Sequence, residues 1–296
     1  MKRPVLIPVL IGLFLNSSLQ AAPITFNTAL AVGQGEYVLR QQFIGLQSGH
    51  DPSGLKRDRK ETTALTALGY GLNNQWALFA TLPYRTIDLD IGEASISRHS
   101  SGLGDMSFFV RYTAYQDDAP GKTLRIAPFA GLKTPTGSHR ERDRYGLLPP
   151  SVQSGSGSWD PFGGVVMTYQ TLQFQFDGQA SYRFNTAADG FEAGDVARLD
   201  ASLQYRLFPR KLSRGTPGFL YGVLETNLVH QAKDRYRGHS NPDSGGARLF
   251  LTPGLQYVTR RWIIEGAIQL PLVQNLNGKA LENDYILRGV FASTSN

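Results

Sequence analysis

The sequence predicts an all-β chain, a transmembrane antiparallel up-and-down β-barrel of about twelve strands. Three observations carry this expectation. From Leu172 to Asn185 the chain alternates with period two. Phe174, Phe176, Gly178, Ala180, Tyr182 and Phe184 fall on one face, and Gln173, Gln175, Asp177, Gln179, Ser181, Arg183 and Asn185 on the other. Such a strand is longer than the ~5 or 6 residues usual in globular sheets. Segments of the same kind recur along the chain with alternately short and long connections. Beyond the first 21 residues nothing approaches the ~18 consecutive apolar residues of a membrane helix, so a mature chain that meets lipid must do so with strands.

The N-terminus supplies the export route. Lys2 and Arg3 precede an apolar run from Val5 to Leu15, then Asn16-Ser17-Ser18 and small residues at Ala21-Ala22. Together these read as a signal peptide over residues 1–21, cut after Ala21 or Ala22. The apolar core is shorter than the ~20 residues a spanning helix needs, which disfavours an anchor. Residues 22–35 read as a periplasmic or lumenal N-terminal segment, and residues 36–296 as the outer-membrane barrel. The chain has no cysteine. Disulfides, thiolate metal sites, cysteine nucleophiles and a lipid-modified N-terminus are therefore excluded. A formal net charge of +6, two units of which leave with Lys2 and Arg3, is too mild and too mixed with acids to indicate nucleic acid.

The strands follow in order. The first lies near Tyr37 to Leu46 and the second near Thr62 to Gly71; Leu72-Asn73-Asn74-Gln75 turns tightly into the third, Trp76 to Ile91. Gly104 to Gln116 and Lys122 to Pro135 form a hairpin about Asp117-Asp118-Ala119-Pro120-Gly121, where proline and glycine suit the turn. Trp159 to Tyr169 returns through Gln170-Thr171 into the long alternating stretch. Asp195 to Phe208, Gly218 to Gln231, Ala247 to Thr259, Trp262 to Gln274 and Asp284 to Phe291 complete an even number. Short turns follow the even strands and longer polar segments the odd ones, the asymmetry of periplasmic turns and outer loops. The longest loop, Thr136 to Ser158, reads as solvated, with an inward-folding constriction as the alternative.

Anchoring residues sit at strand ends. Tyr37, Tyr70, Trp76, Tyr84, Tyr112, Tyr169, Tyr182, Tyr205, Tyr257, Trp262 and Tyr285 lie near predicted termini, where amphipathic rings favour the headgroup level. In the last strand Tyr285, Leu287, Gly289 and Phe291 alternate toward an aromatic near the C-terminus, resembling a barrel-sorting signal from which Ala292 to Asn296 depart.

Charged residues placed by the same alternation define an expected lumen. Arg40, Arg85, Arg111, Arg125, Lys133, Arg183, Arg198, Arg206, Arg248 and Arg288 fall on the face away from lipid, against Asp105, Asp177, Asp200, Glu225 and Glu265. Charges are costly against lipid and ordinary in a water-bearing lumen. The basic excess points to anion preference, with Arg183, Arg198 and Arg206 foremost. Alternatively, arginines and acids pair into a plug-like network, since a lumen of about twelve strands lies between filled small barrels and open porins.

Four segments carry a family resemblance: GLGDMSFFVRY from Gly102, APFAGLKTPTG from Ala127, GSGSWDPFGG from Gly155 and YGLNNQWALFATLPY from Tyr70. They are similar to motifs of the MetA-pathway phenol-degradation family of outer-membrane β-barrels, and the similarity covers nearly all of the mature chain. The resemblance implies a transport role, with aromatic compounds indicated by the family's description, and it implies no particular binding residue.

The rival chemistry is weaker. Twelve-stranded barrels resembling outer-membrane phospholipase use a Ser-His-Asn arrangement, and RGHSNPDSGG from Arg237 holds His239, Ser240 and Asn241. Their direct adjacency argues against a nucleophile and base meeting in an exposed site, and the run reads as a turn. His50, His99, His139, His230 and His239 all fall in or beside predicted outer loops, so His99, His139 and His239 are the candidate ligands for a metal over the mouth. No cofactor is implied. The expected function is an outer-membrane channel or transporter for small solutes in a Gram-negative bacterium, and not an enzyme. Alternatives are a lipid or ester hydrolase and a non-conducting structural or lipopolysaccharide-binding barrel. Expected partners are outer-membrane lipid and lipopolysaccharide and a small-molecule solute, with no nucleic acid; the sequence does not fix the oligomeric state.

Overall fold

A computed structural model describes residues 21–210 and 216–295. All of the expected signal peptide except Ala21 lies outside the described residues. Twelve strands close into one barrel. They are β1 (Tyr37–Ser48), β2 (Arg57–Gly71), β3 (Trp76–Ile91), β4 in three pieces (Ile96–Leu103, Ser107–Tyr112, Tyr115–Ala119), β5 (Lys122–Lys133), β6 (Asp160–Thr171), β7 (Phe174–Arg183), β8 (Val196–Phe208), β9 (Gly218–Gln231), β10 (Gly246–Thr259), β11 (Trp262–Leu276) and β12 (Tyr285–Ser295). Every neighbouring pair is antiparallel, and β12 meets β1 from Tyr37↔Ser295 to Gln47↔Tyr285, which closes the ring. Closure satisfies the strands' polar backbone groups against one another, the condition for standing in hydrocarbon.

Burial is inverted relative to a soluble protein. Phe176, Leu199, Leu203 and Leu255 are exposed on the outside, with Phe174 and Leu249 half-buried in the same phase, whereas Gln175, Asp177, Asp200, Gln204 and Gln256 are buried inside. Alternation therefore assigned the faces of β7, β8 and β10 as observed. At the periplasmic end, aromatic side chains from adjacent strands lean together: Tyr37 on Tyr70, Trp76 on Tyr112, each with ring centroids 4.6 Å apart, and Tyr257 on Trp262 at 5.5 Å. These are the headgroup-level belt. Phe291 faces outward, and β12 continues past it to Ser295.

Two departures matter. The polar run Ile96–Leu103, expected as loop, extends β4 upward against Tyr84–Ile91, so the connection after β3 shrinks to the turn at Gly92–Ala94 and Ser95. Likewise β2 begins at Arg57 rather than Thr62. Both extensions carry polar residues on both faces, which alternation reads as loop, and both pair well because neither face there has to meet lipid. The second departure is the long loop between β5 and β6. It packs against the inner surface of the extended strands instead of standing in solvent: Leu148 and Val152 bury with Ile87 and Leu89, the Ser100 hydroxyl donates to the Val152 carbonyl, and Arg85 Nη1 donates to the Ser154 carbonyl at 3.2 Å. The apolar inner faces of Ile87 and Leu89 would otherwise line a wet mouth, so the loop folds in to cover them.

The N-terminal segment enters the barrel. Ala21 packs with Val258, Ile263 and Ala292 near the periplasmic end of β10–β12, Ile24 with Val223 and Val290, and Ala29 crosses to Ala127, Phe129 and Val166 on β5 and β6. The chain then reaches the end of β2, where the Gly35 amide donates to the Gly71 carbonyl at 2.8 Å.

Candidate functional site: the barrel lumen

The side of the lumen formed by β6 to β11 is filled by a polar core. Glu225 on β9 is fully buried and accepts from the amides of Ile24 (2.7 Å) and Thr25 (3.1 Å), the Thr25 hydroxyl (2.5 Å) and Ser202 (3.0 Å). Asp177 accepts from Thr28 (3.2 Å), Gln175 (2.7 Å) and the Thr168 hydroxyl. Asp200 is bonded by Asn227 (2.9 Å) and Gln179 (3.3 Å). These carboxylates are bonded to the N-terminal segment and to neighbouring amides, and none of the three lines the open cavity.

The basic residues divide into two groups. Arg40 pairs with Glu265 at 2.9 Å, Arg85 with Glu61 at 2.8 Å, Arg125 with Asp118 at 3.4 Å and Arg198 with Asp200 at 3.0 Å. Lys133 lies 3.1 Å from Asp105 and 2.5 Å from Asp160. Arg111 donates to the Leu30 carbonyl (2.6 Å) and the Thr28 carbonyl, which clamps the N-terminal segment. In contrast, Arg183, Arg206, Arg248 and Arg288 form no ion pair among the described residues. Arg206 lies over the Phe219 ring and Arg288 donates only to Gln269. Of the three arginines expected to bias the lumen, then, Arg183 alone stands exposed and uncommitted.

A cavity of about 610 Å³ remains between the N-terminal segment and the wall formed by β11, β12 and β1 to β8. Arg40, Lys133, Arg183, Arg198 and Arg288 line it, together with Phe79, Phe109, Phe129 and Phe162. Phe79 and Phe109 stack with centroids 4.6 Å apart, and Phe109 meets Phe129 and Phe162 edge-on at 6.0 and 6.1 Å. A search of the sequence for lumenal charges passes over these phenylalanines. The phase of the strands contains them: Arg111 inward places Phe109 inward, and Lys133 inward places Phe129 inward.

The outer loops do not gather the histidines. His99 Nδ1 lies 2.7 Å from Asp88, His139 Nε2 lies 3.2 Å from Asp189, and His239 stands exposed in a small hairpin with Arg235 and Tyr236. No group of three metal-ligating side chains forms among the described residues. His99, His139 and His239 are therefore not brought together as expected: His99 lies on the strand extension of β4, His139 in the long loop and His239 in the small hairpin, each with different contacts. Ser240 shares the exposed hairpin with His239, pairing with Arg235 across its strand.

Acidic partners tune these loop contacts. Arg140 Nε donates to Asp189 at 2.8 Å, and that bond leads the causes that hold the Asp189 carboxyl below its ordinary range. His50 Nδ1 lies 2.6 Å from Asp284, tying the first outer loop to the last. Asp284, by hydrogen bond and by charge, raises the His50 pKa above 6.5. A raised value means that the tie is at full strength below pH 6.5 and fades as pH rises through the shifted value. NMR titration of the imidazole is expected to show a midpoint above an ordinary histidine's, and Asp284→Asn to return it. A wild-type midpoint at the ordinary value would refute the clasp.

Residues 26–267 match the family described as "Putative MetA-pathway of phenol degradation". No curated protein matches the chain in sequence. Among solved structures, the fold is similar to an outer membrane channel from Pseudomonas putida F1, with a TM-score of 0.72 at 11% identity over 93% of this chain and 100% of that one. A Bordetella autotransporter β domain follows, with a TM-score of 0.49 at 11% identity over 88% of this chain and 99% of that one. The closed barrel, its apolar exterior and the fold of outer-membrane channels place the chain in the outer membrane of a Gram-negative bacterium.

Proposed function

Since the chain belongs to the MetA-pathway phenol-degradation family, we propose that it is a channel passing small solutes across the outer membrane, anionic and aromatic ones by preference. One observation carries this reading: a water-accessible cavity of about 610 Å³ lies inside the wall, lined by Arg183 and Arg288, which form no ion pair among the described residues, and by a cluster of phenylalanines. A non-conducting structural barrel has no use for uncommitted guanidinium groups in its lumen. Their desolvation would be a net cost if the lumen were dry, and water or an anion must repay it. Phenylalanine side chains facing a lumen are likewise costly unless something apolar meets them.

Reconstitution of the full mature barrel into planar bilayers tests the reading. Discrete conductance steps are expected, with reversal potentials under a potassium chloride gradient showing chloride favoured over potassium. Absence of conductance in protein whose strand content is intact would overturn it.

A further inference from the structure

We propose that Arg183 and the Phe109–Phe162 pair form a binding subsite for a small aromatic carboxylate, which rests on the channel reading above. The inward faces of five consecutive strands line up in one register row: Phe79↔Phe109, Phe109↔Gly131, Gly131↔Phe162 and Phe162↔Arg183. Directly opposed residues on antiparallel strands have Cβ atoms ~5 Å apart, so ring and guanidinium are neighbours. Gly131 makes the row possible. A Cβ at that position would come within 2.5 Å of both the Phe109 Cβ and the Phe162 ring, so the two rings close over the glycine and present their remaining surface to the cavity.

Arg183 is the charged end of this shelf. It is exposed to the cavity and makes no hydrogen bond or ion pair among the described residues. Asp160, on the same inward face of β6 as Phe162, is already taken by Lys133 at 2.5 Å, Ser158 at 3.2 Å and the Thr186 amide at 2.9 Å. A guanidinium presents paired N–H groups that fit the two oxygens of a carboxylate, and the aromatic edge beside it fits a ring bonded directly to that carboxylate. An aliphatic acid would use only the arginine, and a neutral aromatic alcohol only the rings.

Isothermal titration calorimetry of the full mature barrel in detergent reads this without any need for conduction, with benzoate, acetate and benzyl alcohol as probes and empty micelles as the blank. Saturable benzoate binding is expected, with benzyl alcohol weaker by about tenfold or more for loss of the charge-assisted hydrogen bond, and acetate weaker by about tenfold or more for loss of the buried ring. Arg183→Gln should abolish the advantage of benzoate over benzyl alcohol, Phe162→Leu should narrow its advantage over acetate, and Arg183→Lys should retain part of the former. The wild-type comparison of the three probes stands even where a variant folds poorly. Equal affinity for acetate and benzoate, no benzoate binding, or benzoate binding unchanged in Arg183→Gln would overturn the subsite. A barrel that binds benzoate but does not conduct would instead overturn the channel reading and leave the subsite standing.

Discussion

Arg183→Glu is expected to invert the ionic preference of the conducting barrel, moving the chloride to potassium permeability ratio by about tenfold or more. Most acids of the lumen are committed to other partners; Glu36, which also lines the cavity, forms no ion pair among the described residues. Asp177 and Glu225 are bonded to the N-terminal segment and its neighbours, Glu265 pairs with Arg40 and Asp200 with Arg198. The field in the cavity is therefore set mainly by arginines without carboxylate partners, and Arg183 is the one exposed to it. Reversal changes the local charge by two. At about 8 Å and an effective dielectric of about 20, each unit charge acts on an ion by about 2 kcal/mol, which makes a tenfold change modest. Arg140→Glu is the control: that side chain is 72% exposed on an outer loop, where salt screens it. Reversal potentials of wild type and both variants decide the matter. Equal shifts in the two, or none in Arg183→Glu, would mean that selectivity resides elsewhere.

Which of these features can be read from sequence follows from the distance over which each is encoded. Alternation is local, so the inward placement of Gln175, Asp177, Asp200, Gln204 and Gln256 is legible from a few neighbouring residues. Which arginine meets which acid depends instead on the stagger between strands far apart in the chain, as Arg40 meets Glu265 across the closing seam. Arg198 is a local exception, neutralised by Asp200 two residues on along the same face, whereas nothing near Arg183 in sequence says that it is left open. The phenylalanine shelf lies between these cases. Its inward phase is legible, but its assembly depends on Gly131 lying opposite both Phe109 and Phe162, a register that only the folded sheet defines. The path of the N-terminal segment is less legible still. Its residues are small, apolar or hydroxylic, and their binding surface is the polar wall built by six other strands.

Glu225→Ala is expected to loosen that segment and raise single-channel conductance, with larger and more variable steps than wild type. The Glu225 carboxylate receives two backbone amides and the Thr25 hydroxyl, and it is the point where the segment is bonded most densely. Truncation leaves the Ile24 and Thr25 N–H groups buried without an acceptor, at about 1 to 3 kcal/mol each, while the barrel wall keeps its ladder bonds from β8 and β10. The cost falls on the docked segment and not on the barrel, so undocking is the easier response, and it merges the filled side of the lumen with the existing cavity. Ser202 and Asn227, which reach the same network, remain to bind water in the vacated space. Because the chain contains no cysteine, Ala29→Cys gives a single reporter at a fully buried position of the segment. Its labelling by a water-soluble maleimide should be slow in the otherwise wild-type barrel and markedly faster beside Glu225→Ala. Raised conductance without faster labelling would place the obstruction in the inward-folded loop over Ile87 and Leu89, and fast labelling without raised conductance would show that the segment moves but does not limit the pore.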